Sequence, residues 1–488
     1  MLRDNNRKGK KSLKANYIYN LSYQVLVLII PLITTPYVSR VLGADGVGMY
    51  GLTNSISQYF VLFGCIGLNL YGQREIAYCQ NKEYERSKVF YELLIVRLIT
   101  MAVSMLIFIC TVCNDGKYGF LYKIELLELI GAAIDITWFF QGLEEFKKIV
   151  IRNSVVKILG VVCILLFVKE ETDTAIYTLI LCLTVLIGNG LIWVYMPRYL
   201  CRVSIKSLNM IKHIKPTLVL FVPQIATSVY NVLDKSMIGL ITKSDAEVAY
   251  YEQAQKIIKM ALAMPAAVGT VMLPRMASLF SEGNHEEIRS HINTSMKFVC
   301  MLTAPLCIGI ISIAKDFVPW FFGPGFDKVY DNFIVISPII ILVGMSNVLG
   351  VQYLLPVKRQ ADYTKSVIIG TIVNFTFNLI LIPSLLSIGA AIGSIIAEAS
   401  VTFTQFFLLR GTISLKDTVK GTYLYFIGAL IMGGGIYLYS TIVGHPTFYH
   451  TIIEITIGVC IYATYLLLIK DKLVYTQMNK IKDRIHRG

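Results

Sequence analysis

Apolar segments of bilayer-spanning length recur along the whole chain, and only short connections separate them. They run near 16–39, 47–70, 88–112, 119–141, 149–168, 175–197, 216–242, 247–273, 295–314, 329–356, 364–384, 388–409, 421–443 and 450–470. A helix crosses the hydrocarbon core with about 20 residues, and only helices or closed barrels satisfy their own backbone there. The fold class that follows is an all-α polytopic membrane protein of about 14 transmembrane helices. No connection is long enough for a soluble domain. Charged residues make up 16% of the chain, against about 25% in soluble proteins. The basic N-terminus runs directly into the first segment without a small-residue cleavage site, which predicts a retained helix and not a signal peptide.

The net charge of +14 has a topological origin. With the N-terminus inside, the inner face carries the tail from Arg3 to Lys14 and the loops Arg74–Lys88, Lys147–Lys157, Arg198–Lys215, Arg275–Lys297, Lys358–Lys365 and Arg410–Lys420. The last tail, Lys470 to Arg487, joins them. About 34 Lys and Arg then lie inside and about 7 outside, which places both termini in the cytoplasm. The excess attracts anionic head groups and calls for no nucleic acid.

The two halves resemble each other. Leu26-Val-Leu-Ile-Ile-Pro31-Leu-Ile-Thr-Thr35 matches Leu218-Val-Leu-Phe-Val-Pro223-Gln-Ile-Ala-Thr227 at six of ten positions. Asp45 and Tyr50 correspond to Asp245 and Tyr250, and Arg74 to Arg275. Two pseudo-symmetric six-helix bundles are expected, over 1–200 and 213–410, with two further helices and a basic tail over 411–488. Parallel repeats of this kind hold transporter sites between them near the midplane.

The seventh segment carries Asp234 and Lys235 deep within it. Each such charge costs about 2.5–3.5 kcal/mol at a helix centre, so it must face protein or water. Gln224, Ser228, Asn231 and Lys235 share one helical face, a polar stripe fit for a wet cavity. The eighth segment adds Glu252, Lys256 and Lys259, with Glu252 placed to pair with Lys256. Arg97 lies in the third segment, Asp135 in the fourth, and Ser394, Glu398, Thr402 and Gln405 along one face of the twelfth. The eleventh adds Thr371, Asn374 and Asn378. Surplus cations point to an anionic substrate, with phosphate or pyrophosphate the natural group. Glu398, Asp135 and Glu252 are the ion-coupling candidates. Lone Asn, Ser and Thr are expected to hold helices together.

Other motifs carry no chemistry. Cys110-x-x-Cys113 lacks a second ligand pair. Gly46-Val-Gly-Met-Tyr-Gly51 matches G-x-G-x-x-G, yet no strand precedes it, and no P-loop occurs. All six His fall in expected loops or tails. Phe317-Val-Pro-Trp-Phe-Phe322 reads as an interfacial aromatic belt. No metal or cofactor is expected.

Pro31-Leu-Ile-Thr-Thr-Pro-Tyr-Val-Ser-Arg40-Val-Leu-Gly-Ala-Asp-Gly-Val-Gly-Met-Tyr50, Tyr230-Asn-Val-Leu-Asp-Lys-Ser-Met-Ile-Gly239 and Tyr250-Tyr-Glu-Gln-Ala-Gln-Lys256 resemble the Wzx-type polysaccharide flippases. Met272-Leu-Pro-Arg-Met-Ala277 adds to the likeness. These flippases sit in the multidrug/oligosaccharidyl-lipid/polysaccharide exporter superfamily, with the lipid II flippases as cousins. The resemblance implies alternating access in a bacterial cytoplasmic membrane. It implies a non-enzymatic transporter that turns undecaprenyl-pyrophosphate-linked oligosaccharide from the inner to the outer leaflet. The product would feed a capsule, O-antigen or other cell-envelope polymer, with a polysaccharide polymerase as an expected partner. On the same resemblance, Arg40, Arg74, Arg97, Lys235, Lys256, Lys259 and Arg275 would line a cationic cavity and handle the pyrophosphate. A multidrug/cation antiporter would favour acidic cavity groups. A membrane glycan polymerase would need a substantial outer loop with catalytic groups.

Overall fold

The computed structural model describes residues 2–411, 414, 418–443 and 446–475, without the side chains of 2–22, 222–223, 226–231, 270–271 and 285. The described residues hold helices and no strand. Ten helical stretches among them are long and apolar enough to cross a membrane. The expected apolar segments fall on helix, and two long helices carry two segments each.

The contacts divide the chain into two compact units, Met1–Gly239 with Ser244–Ala249, and Leu240–Lys243 with Tyr250–Gly488. The first holds α1 (Leu2–Cys65), α2 (Leu68–Tyr78), α3 (Glu83–Thr111), α4 (Gly119–Ala133), α5 (Thr137–Gly142), α6 (Phe146–Phe167), α7 (Thr174–Leu191) and most of α8 (Ile211–Thr242). The second holds most of α9 (Asp245–Ser281), then α10 (His285–Phe322), α11 (Lys328–Ile336), α12 (Ile339–Leu349) and α13 (Gln360–Leu408). It closes with α14 (Tyr423–Val443) and α15 (Phe448–Leu468).

In the first unit α1 kinks at Gly43, whose φ of 66° suits a residue without Cβ. Lys243 adopts φ 54° at the corresponding place before α9, two residues ahead of Asp245 as Gly43 is ahead of Asp45. Gly48 has a packing reason: a Cβ there would stand 1.7 Å from the Asp245 carbonyl oxygen. Helices associate in lipid through such close packing and not through a hydrophobic drive. The nucleotide-like glycine spacing is therefore a helix-contact pattern. At the end of the unit with the α2–α3 loop, Phe90, Trp138, Phe139 and Phe140 are all buried, with Phe90 and Phe139 edge to face at 5.2 Å.

In the second unit α10 packs on α12, α14 and α15, and α12 packs on α13. α13 bends at Leu386, φ 57°, three residues past Pro383. The expected aromatic belt is corrected here. Val318, Phe321 and Phe322 are buried, and Phe317 stacks on Phe321 at 4.5 Å. Four rings within six residues of one helix supply enough apolar surface to pack inward against Phe326 and Phe333. Trp320 alone keeps a polar contact, donating to Thr451 Oγ1 at 2.7 Å.

Candidate functional site

α8 places Lys235 half-buried within the first unit, beside buried Asp234 and Ser236. Its charge acts on two carboxylates of α4, Glu125 and Glu128. These lie at i and i+3, so they share a helix face. Glu125 is fully buried and accepts from Thr53 Oγ1 at 2.8 Å; its Oε2 has no hydrogen-bond partner among the described residues. Glu128 accepts from Asn54 Nδ2 at 3.0 Å and from Gln58 Nε2 at 2.6 Å. The polar face of the second segment, Asn54 and Gln58, thus serves these acids. Two carboxylates within electrostatic reach of one ammonium form a charged cluster that a proton or cation can join. Asp234 acts electrostatically on Tyr59, whose hydroxyl pairs with Ser236 Oγ at 2.9 Å.

A second cluster unites two expected site residues. Arg97 is 1% exposed and lies 3.7 Å from Asp135. Its Nε donates to Ala132 O at 2.9 Å, Nη1 to Asn69 Oδ1 at 2.6 Å and Nη2 to Cys65 Sγ at 3.4 Å. Asp135 also accepts from the Thr137 backbone N–H at 2.8 Å and from the Thr137 hydroxyl. A cation this fully engaged ties α1, α2, α3 and α4 together.

The other expected residues spread widely. Arg40 is exposed and donates to Pro36 O at 3.2 Å. Arg74 is exposed, pairs with Glu75 at 3.1 Å and lies 5.2 Å from the Tyr71 ring. In the second unit Arg275 pairs with Glu287 at 2.9 Å. Glu252 and Lys256 pair at 3.1 Å in the expected i, i+4 order. Lys259 is exposed, and half-buried Glu398 acts on Tyr363. Gln224 is half-buried, and the Asn231 side chain lies outside the described ones. Several stripe residues bind neighbouring helices: Ser394 meets Tyr251 at 3.1 Å, Thr402 donates to Leu342 O at 3.1 Å and Gln405 to Ser366 at 3.2 Å.

Five carboxylates were not among the residues expected from the sequence. Glu125 and Glu128 were legible as i, i+3 carboxylates inside the apolar 119–141 segment. Glu92 of α3 is fully buried and bonds His213 Nε2 at 2.8 Å and Lys212 Nζ at 2.8 Å. This corrects the placing of every His in loops or tails. His213 lies in the first turn of α8, 2% exposed, with its other nitrogen 2.8 Å from the Tyr71 hydroxyl. Lastly, buried Asp316 of α10 accepts from Ser440 at 2.5 Å and faces Glu454 of α15. Outside the spans, Asp245 is buried and accepts from Lys117 Nζ at 2.6 Å and the Tyr118 hydroxyl at 2.7 Å. That pairing holds the Lys117 amine above its ordinary range.

The "Putative O-antigen transporter" of Escherichia coli (strain K12) is 23% identical over 408 residues, covering 82% of this chain and 98% of that protein. Among solved structures, the lipid II flippase MurJ in an inward closed conformation superposes with a TM-score of 0.63 at 14% identity, over 94% of this chain and 99% of that one. An inward-facing multidrug resistance MATE family transporter of the MOP superfamily gives 0.64 at 15%, over 79% and 94%. At these identities the structural likeness establishes the fold. The family described as polysaccharide biosynthesis protein matches residues 13–280, more than half of the chain. The resemblance read from the sequence holds: this multi-pass membrane chain belongs to the polysaccharide biosynthesis protein family.

Proposed function

We propose that this protein flips a lipid-linked glycan across a membrane. More finely, it turns undecaprenyl-pyrophosphate-linked oligosaccharide repeat units from the inner to the outer leaflet of a bacterial cytoplasmic membrane, by alternating access. The two repeats, near 1–200 and 213–410, supply the alternating parts. The family match supports the class of cargo. The observation that carries a mechanism is Lys235 within electrostatic reach of Glu125 and Glu128 inside the membrane-spanning unit. Lys235 is shared between these carboxylates and the pyrophosphate of the cargo. Protonating the acid pair releases the ammonium toward the phosphate, and deprotonation draws it back. The cargo in turn meets Lys256, Lys259, Arg40, Arg74 and Arg275 as further cationic contacts. Arg97 positions Asp135 and its neighbours.

Purified protein in vesicles loaded with a fluorescent lipid-linked oligosaccharide tests this reading. Protein-dependent flipping that Lys235→Ala abolishes is expected; absence of flipping under every imposed ion gradient sinks it. A second reading, a cation antiporter, is favoured by one observation: the buried Glu125 and half-buried Glu128 carboxylates of α4. It requires that cationic compounds, and not lipid-linked sugar, move against a proton gradient.

A further inference from the structure

A polar cavity of about 370 Å³ lies inside the first unit, lined by α1, α2, α5, α6, α7 and the Asp135 turn. Arg152 of α6 lines it and is 8% exposed. Its Nε and Nη2 donate to Asn153 Oδ1 at 3.0 and 2.5 Å, while Nη1 is buried with no hydrogen-bond partner among the described residues. Burying a cationic donor unpaired is costly, so the cavity is built for something that accepts from it. Lys157, one and a half turns along α6, lines the same cavity, its Nζ 5.5 Å from the Tyr23 ring. Asp135 is the one carboxylate among the described lining residues. Its charge reaches Arg152, but its oxygens are taken by Thr137 and by Arg97. With Arg97 and Asp135 cancelling, Arg152 and Lys157 leave the cavity positive. Asn69, Asn153 and Asn189 add neutral polar groups.

The surroundings say how an anion arrives. Beside the cavity face, α6 exposes Ile151, Val155, Ile158 and Leu159, all about half exposed, as an apolar stripe at i, i+4, i+7 and i+8. Residues next to each other on a helix point about 100° apart. An acyl chain lying on that stripe therefore brings its head group to Arg152 and Lys157. Arg152 also sits within two turns of the basic end of α6, which the charge asymmetry of the chain assigns to the cytoplasmic side. Basic pockets among spanning helices on that side suit phosphate head groups.

We propose that this cavity is a binding site for the phosphate group of an inner-leaflet lipid, with Arg152 as its buried anchor and Lys157 at its rim. The site is independent of the transport reading, because it holds a phosphate whether or not a glycan is flipped. Thermal melting and native mass spectrometry of the full chain in detergent test it, with dioctanoyl phosphatidic acid, dioctanoylglycerol and sodium pyrophosphate as probes. Phosphatidic acid is expected to bind and raise the melting temperature, while the phosphate-free diglyceride does neither. Arg152→Gln should weaken phosphatidic acid about tenfold or more and Lys157→Gln about threefold, as expected for lost charge-assisted bonds. Lys169→Gln, on an exposed turn, should change nothing. Without ligand, Arg152→Gln should melt no lower than wild type. Equal phosphatidic acid binding by wild type, Arg152→Gln and Lys157→Gln overturns the site, and so does equal binding of the diglyceride. If Arg152→Gln does not fold, undiminished binding by Lys157→Gln overturns it alone. Pyrophosphate binding as tightly as phosphatidic acid overturns the lipid source.

Discussion

The Arg97 guanidinium lies 3.7 Å from the Asp135 carboxylate, with Arg97 1% exposed. It also reaches Ala132, Asn69 and Cys65. Its removal strands several buried acceptors at once. Arg97→Ala is expected to destabilise the first unit by about 3 kcal/mol or more, as breaking a buried pair generally does. Asp135→Asn should cost less, because the guanidinium keeps its other partners. Chemical denaturation of both variants in detergent, compared with wild type, checks the order.

Gly48 lies where a side chain would collide with backbone, since its Cβ would fall 1.7 Å from Asp245 O. Gly48→Ala is expected to cost about 3 kcal/mol by overpacking. Gly116, with nothing within 4 Å of its would-be Cβ, serves as the matched control and should tolerate Ala. Equal melting temperatures for the two variants would refute the packing reason for the glycine motif.

Lys117 and Asp245 lie 2.6 Å apart, with Lys117 half exposed. The carboxylate raises the Lys117 pKa above its unfolded value. The stability this pair contributes is therefore fully present below about pH 10.4, the ordinary Lys value, and is lost only as pH rises through the higher folded value. Solvent screening keeps the increment small. The melting difference between wild type and Lys117→Met should stay constant from neutral to mildly alkaline pH. A difference that disappears by about pH 8, far below the Lys range, would contradict the assignment.

Glu128 and Lys235 should be energetically coupled. A double-mutant cycle on Glu128→Gln and Lys235→Met in the vesicle assay is expected to show an interaction of about 1 kcal/mol, within the usual range for neighbours in one charge network. Additive effects would separate Lys235 from the acid pair.

Much of the fold was legible because lipid imposes strict rules. Bilayer-length apolar runs demand helices, and Gly43 and Lys243, each two residues ahead of the paired Asp45 and Asp245, both take positive φ. The i, i+4 order foretold the Glu252–Lys256 pair. What escaped depended on three-dimensional partners. His213 looked like a loop residue because α8 begins earlier than its apolar run, at Ile211. Arg152 looked like one more cytoplasmic charge within a basic loop, because its burial arises from the neighbouring α1, α5 and α7. The Phe317–Phe322 rings looked interfacial because composition does not say which way a helix face turns.

The central claim is flipping of a lipid-linked glycan, and accumulation of its cargo tests it most directly. The gene is deleted in its own host, wild type or Lys235→Ala is restored, and undecaprenyl-linked glycans are extracted and assigned to a leaflet. The account predicts complete repeat units held on the inner leaflet, cleared by wild type and not by Lys235→Ala. Unchanged lipid-glycan pools in the deletion, with altered sensitivity to cationic drugs, would contradict it and favour the antiporter.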